Sequence, residues 1–192
     1  YHQPDYFNTR IENGLKKQIK KAFQEQEIYY NLLEQPGSDA DLYQTLEASI
    51  FNPLFSYQNG RLVHWTDYRY VPRYRDVAGQ DSIRFFSGSK GKYIICRSEK
   101  RIKGQQREVI SLILLASEPK ILNQFLKPEF NASIFDVQEF ELYGQPQEGA
   151  YDIFLNQDTY LFSIRYGTAY KVNSFWQAHV ITLLVYLSLI FF

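Results

Sequence analysis

Apolar residues recur at helical spacing in the first part of the chain and at strand spacing after residue 50. Between residues 5 and 34, Phe7, Ile11, Leu15, Ile19, Ala22 and Tyr29 fall in one sector at about 100° per residue, and Lys16, Lys17, Lys20 and Lys21 lie opposite. This spacing predicts one long helix, about 45 Å for thirty residues, which Gly14 weakens and Pro36-Gly37 ends. Such a helix suits a stalk or dimer contact, with Ile11, Leu15, Ile19 and Ala22 as the seam, or a support packed along a sheet. A short helix should follow, capped by Ser38 or Asp39, with Leu42, Leu46 and Ile50 on one face.

Two apolar runs flank Asn59-Gly60, namely 54–57 and 61–65. Asn-Gly is the preferred type I′ hairpin turn, because both central residues need positive φ. Residues 67–80 carry Pro72 and Gly79 without a clean period and read as a loop. A second hairpin joins 83–86 to 92–97 through Ser87-Gly88-Ser89-Lys90-Gly91. Val109 to Ala116 is almost continuously apolar, as expected of a strand buried on both faces. A short helical stretch between Pro119 and Pro128, a strand or crossover over 135–143, and a last pair at 151–155 and 160–166 complete the order. The fold class is α+β, an antiparallel sheet of about five strands with helices to one side.

The C-terminus has a different grammar. Residues 178–192 contain no charged side chain, and Lys171, Phe175 and Trp176 precede them like an interfacial belt. A membrane span needs about 20 apolar residues. The run is therefore expected to be the outer part of a transmembrane helix, the rival being a buried core helix. The organisation expected is a helical segment at 1–49, a sheet domain at 50–170 and the start of a membrane helix at 171–192.

Composition narrows function mainly by exclusion. The 192 residues hold 21 basic and 21 acidic side chains, and zero net charge argues against general nucleic-acid binding. One cysteine excludes an internal disulfide framework and a cysteine-rich zinc site. The absence of methionine is expected of a segment cut from a longer chain. Charge is nonetheless partitioned: residues 61–107 hold 12 basic and 4 acidic side chains, and residues 108–160 hold 2 and 9. Either neighbouring strands neutralise one another, or a basic surface awaits an anionic ligand or lipid head groups.

No phosphate-cradling glycine loop, zincin helix or nucleophile elbow is present. His2, His64 and His179 lie too far apart to read as a metal trio, and Cys96 reads as an inert buried thiol. Asn131-Ala132-Ser133 matches a glycosylation acceptor, a pattern too short to carry weight. No catalytic residue, metal ligand or cofactor is assigned. The candidate ligand-binding residues are Trp65, Asp67, Tyr93, Arg97 and Arg165, since arginine with aromatic side chains can clamp a small carboxylate while the rings exclude water. The plain alternative is that they face solvent or form cross-strand ion pairs.

The stretch Asn59 to Asp67 resembles the hairpin ending W-S-D-N in extracytoplasmic sensor regions of bacterial two-component histidine kinases. Thr66 stands for the serine and Tyr68 for the asparagine. Gly91-Lys92-Tyr93 is similar to the G-x-Y strand that follows there, and Leu161 to Phe192 resembles the strand that passes into a second membrane helix. The resemblance covers about residues 50–192. It implies a PAS-like (Cache-like) periplasmic domain anchored in the inner membrane, binding an unidentified small molecule or sensing envelope state, as a homodimer. The segment itself would be non-catalytic, its kinase core lying outside it. The alternatives are the input domain of a chemotaxis receptor or cyclic-dinucleotide enzyme, a membrane-anchored hydrolase, and a dimerisation module without ligand.

Overall fold

The structure is a computed structural model that describes residues 3–35, 39–118, 129–135, 140–156 and 158–167. Helix α1 (Gln3–Glu34) and helix α2 (Asp39–Ser49) come first. Strands β1 (Leu54–Gln58) and β2 (Arg61–Trp65) form the Asn-Gly hairpin, with φ of 51° at Asn59 and 74° at Gly60 as a type I′ turn requires. A one-turn helix α3 (Tyr74–Val77) interrupts the segment between β2 and β3 (Ile83–Gly88). Strand β4 (Gly91–Ile102) then turns through Lys103 and Gly104, both at positive φ, into β5 (Gln105–Ser117). This long hairpin extends well past the ends expected from sequence.

Among the described residues all pairings are antiparallel. The large sheet runs β2-β1-β5-β4-β3, and the short β6 (Glu129–Phe130) pairs with the far end of β5. The α+β class is as expected, but the strands divide differently. Strands β7 (Phe140–Tyr143), β8 (Tyr151–Phe154) and β9 (Tyr160–Tyr166) make a separate three-stranded sheet in the order β7-β9-β8. The second sheet and the large one share a core, where Phe85 of β3 meets Phe162 of β9 at 6.0 Å between ring centres.

Strand alternation gives the large sheet two chemically distinct faces. Leu54, Ile94, Val109 and Ile113 face α1, and the apolar sector of α1 closes on them and on the second sheet, with Ile11, Leu15, Ile19 and Ala22 all buried. Of the two uses open to that stripe, a dimer seam or a support packed along a sheet, the structure shows the second: the four residues are core. Gly14 has a reason to be mid-helix, since a Cβ there would stand 3.3 Å from the Ile134 Cα and the Ser133 carbonyl. A polar seam fixes α1 along the sheet. The Gln26 amide donates to the Cys96 carbonyl (2.9 Å) and Ser111 Oγ (3.0 Å), and accepts from Ser98 Oγ (2.6 Å). Glu25, also buried, receives the backbone N–H groups of Phe51 and Asn52, both at 3.2 Å, tying α1 to the start of the sheet.

Among the described residues no helix is long and apolar enough to cross a membrane. The expected membrane segment at 171–192, the helix expected after Pro119 and the Ser38 cap lie outside the described residues.

Candidate functional site

The face of the large sheet away from α1 carries Phe55, Tyr57, Tyr93, Ile95, Ile110 and Leu112, covered by Tyr70, Tyr74 and Val77 from the segment after β2. The covering segment is held at defined points. Tyr57 Oη donates to the Pro72 carbonyl (3.0 Å), Tyr74 Oη donates to Glu108 (2.9 Å), and Arg84 donates to the Asp76 carbonyl (3.0 Å). Tyr70 stacks on Tyr93 with ring centres 5.5 Å apart and planes 13° from parallel. Gly88 makes room for it, because a Cβ there would lie 2.5 Å from Tyr70 Oη.

Four of the five candidate residues come to this side of the large sheet. Tyr93 is buried beneath Tyr70. Trp65, paired with Phe55, stands half-exposed at the sheet margin beside Tyr43, Thr66 and Tyr68. Strand β2 ends at Trp65, so Asp67 lies beyond it, in a two-pronged ion pair with Arg69 (2.6 Å at the shortest). The hydrogen bonds from Arg69 hold the Asp67 carboxyl below the usual carboxylate range. Arg97 projects from the same face, but Glu108 (Nε to Oε1, 2.7 Å) and Glu99 both bind it. Arg165 belongs to the second sheet, above the Tyr143 ring at 4.9 Å and 3.7 Å from Glu141.

Arg97 and Arg165, either of which was expected to clamp an anion, stand in different sheets, and each faces a carboxylate of the chain. The charge partition has a matching outcome. Glu108 and Glu118 of the acidic stretch meet Arg97 and Lys92 of the basic one, the latter at 3.1 Å, as mutual neutralisation requires.

Two open clefts flank the tyrosine cover. One of about 610 Å³ is lined by Tyr70, Arg73, Asp76, Phe86, Ser87 and Ser89, and one of about 310 Å³ by Tyr57, Asn59, Tyr74, Glu99, Gln106 and Glu108. Their walls combine aromatic rings, hydroxyls and paired charges, which equips them for binding through stacking and hydrogen bonds. Among the described residues no group of three or more His, Cys, Asp or Glu could hold a metal ion. Burial alone pushes the Cys96 thiol up to about 12, as its strand position implied.

No protein family matches the chain, and neither does any curated protein or solved structure. The site therefore rests on its own geometry.

Sequence reasoning missed Tyr57, Tyr70, Tyr74 and Glu108. The tyrosines of the aperiodic 67–80 segment were the available signal, since a solvated loop has no use for so many aromatic rings. Burial raises Tyr93, Tyr29 and Tyr30 to about 12, and raises Tyr57 further. A phenol whose folded value exceeds its unfolded one, about 10, stabilises the fold fully below pH 10, and that contribution disappears as pH climbs through the folded value. Absorbance titration at 295 nm should accordingly show these phenols silent up to about pH 11, then ionising together as the protein unfolds. Smooth titration of all tyrosines near pH 10 with the fold intact would contradict their burial.

Proposed function

We propose that the chain is the extracytoplasmic signal-input domain of a membrane-bound two-component histidine kinase, reading a small ligand or the state of the envelope. The observation that carries this reading is the meeting of the fold's two ends. Tyr166, the last residue of β9, bonds through its hydroxyl to Asn8 Oδ1 in the opening turns of α1 (3.2 Å), and Phe7, Arg10, Ile11 and Tyr166 line one small cavity. A domain whose entering and leaving segments stand side by side suits insertion between two membrane helices, where a shift of one is felt against the other. Helix α1 supports the same reading, because it touches both sheets and joins the chain ends to the underside of the tyrosine-covered face. A ligand in either cleft would act by binding one setting of α1 better than another. The hairpin and G-x-Y resemblances and the uncharged 178–192 run point the same way.

The same input geometry would serve a chemotaxis receptor or a cyclic-dinucleotide enzyme, which differ only in output. A dimerisation module built on the apolar stripe of α1 is disfavoured, since that stripe is buried in the core.

Reporter fusions in the natural parent protein test the topology. Alkaline phosphatase joined after Gly167 should be active and β-galactosidase inactive, and cysteines at Asn8 and Tyr166 bridged by a short bismaleimide, which spans the gap their side chains now fill, should freeze the output. A cytoplasmic reporter pattern would overturn the reading.

A further inference from the structure

Three recesses on the tyrosine-covered side of the large sheet differ in what they leave to a ligand. The one beside Trp65 holds about 160 Å³, below the roughly 300–1,000 Å³ of ligand pockets. The 310 Å³ cleft is large enough, but its carboxylates are already used: Glu108 by Arg97 and Tyr74, and Glu99 by Arg97 and Gln106. The 610 Å³ cleft is the roomiest of the three, and its polar groups are only partly committed. Arg73 spends two of its five N–H donors on Asp76, from Nε to Oδ2 at 2.7 Å and from Nη2 to Oδ1 at 3.2 Å. Ser87, near the end of β3, and Ser89, just past it, are exposed and bring hydroxyls to the same wall.

The apolar part of that wall is a platform. Tyr70 and Phe86 both lie against Tyr93, with ring centres 5.5 and 6.3 Å from it and planes tilted by 13° and 33°. The two half-buried rings therefore present similarly oriented faces beside the cleft. Charge does not select the occupant. Arg73 and Asp76 cancel within the wall, and Arg75, 3.7 Å from Asp76, does not line it. An anion would have to draw Arg73 off Asp76, and a cation would have to do the reverse. What remains on offer is ring faces next to hydroxyls and a planar ion pair with spare donors and acceptors. A pyranose matches this, since its C–H faces suit the negative face of an aromatic ring and each of its hydroxyls both donates and accepts.

We propose that the 610 Å³ cleft binds a neutral saccharide of disaccharide size with flat, equatorially substituted rings. It stacks on Tyr70 and Phe86 and is hydrogen-bonded by Arg73, Asp76, Ser87 and Ser89. This names a ligand class for the input domain proposed above and rests on that reading for its consequence in signalling, though not for binding itself. A saccharide pressing on Tyr70 is felt by Tyr93, whose strand β4 also holds Gln26 of α1 through the Cys96 carbonyl.

Saturation-transfer NMR on the full 192-residue chain, in a detergent without a sugar head group, tests the site with cellobiose, N,N′-diacetylchitobiose and digalacturonate. The two neutral disaccharides, at up to about 10 mM, which fills most of a millimolar site, should receive saturation on their ring C–H protons, and digalacturonate should not. Arg73→Ala, at an exposed pair that contributes little to folding, should weaken binding about 10-fold. Tyr70→Ala should abolish it. Should Tyr70→Ala fail to fold, Ser87→Lys, an exposed change that fills the cleft, takes its place. No transfer to either neutral sugar, a preference for digalacturonate, or transfer unchanged in both Arg73→Ala and Ser87→Lys would overturn the site. Signalling output of the natural parent protein is read separately. Binding without any change in output keeps the site and overturns the signal-input reading, whereas no binding with the reporter topology intact strikes the saccharide alone.

Discussion

Arg97→Met lowers the free energy of unfolding by about 3–5 kcal/mol, the cost of leaving a buried partner charge alone. The side chains of Arg97 and Glu108 are 16% and 9% exposed, and Nε lies 2.7 Å from the carboxylate, so solvent does little to screen the pair. Glu99 stands opposite Glu108 in the ladder, and both carboxylates lean on the one guanidinium. Removing it sets two like charges side by side, which is itself destabilising. Tyr74 Oη would remain the main donor to Glu108, and it is carried by the covering segment. Urea unfolding of the single variants and of Arg97→Met/Glu108→Gln forms a double-mutant cycle. The double variant should recover most of the loss. A loss below about 1 kcal/mol for Arg97→Met would class the pair with exposed salt bridges.

That pair also shows where the sequence stopped being readable. The strand was read only as far as Arg97, so Glu99, two residues on and on the same face, was left outside it. Glu108 was missed because Lys103-Gly104 went unread as a turn. Once those two residues make a hairpin, Ile102 faces Gln105 and Glu99 faces Glu108 without further information. Asn59-Gly60 was read because apolar runs flank it closely, whereas Lys103-Gly104 sits among charged and polar residues that mask the strands. Arg165 failed for another reason. Its strand was read correctly, but membership of one sheet or another is decided by long-range packing around Phe162 and Ile164, which no local pattern encodes.

Helix α1 poses the same limit at larger scale, since periodicity identifies an apolar face and not what covers it. Leu15 is 1% exposed and Ala22 fully buried, and both belong to the core that joins the two sheets. Leu15→Ala should therefore cost about 2–5 kcal/mol, as expected of a large-to-small change in a core. The loss should be the same at every protein concentration. A dimer seam would instead make stability rise with concentration, because subunit association would be part of folding. The outer side of α1 gives a two-fold partner little to hold. Lys16, Lys17 and Lys20 are exposed there, and a two-fold contact would set these lysines against their own copies. Lys17→Ala should stay within about 0.5 kcal/mol of the parent. Cysteines placed singly at positions 11, 15, 19 and 22 in membranes should give a flat, unreactive profile. Efficient disulfides every three or four residues would mean that α1 leaves the sheet to meet a partner, and the core described for Leu15 would then be wrong.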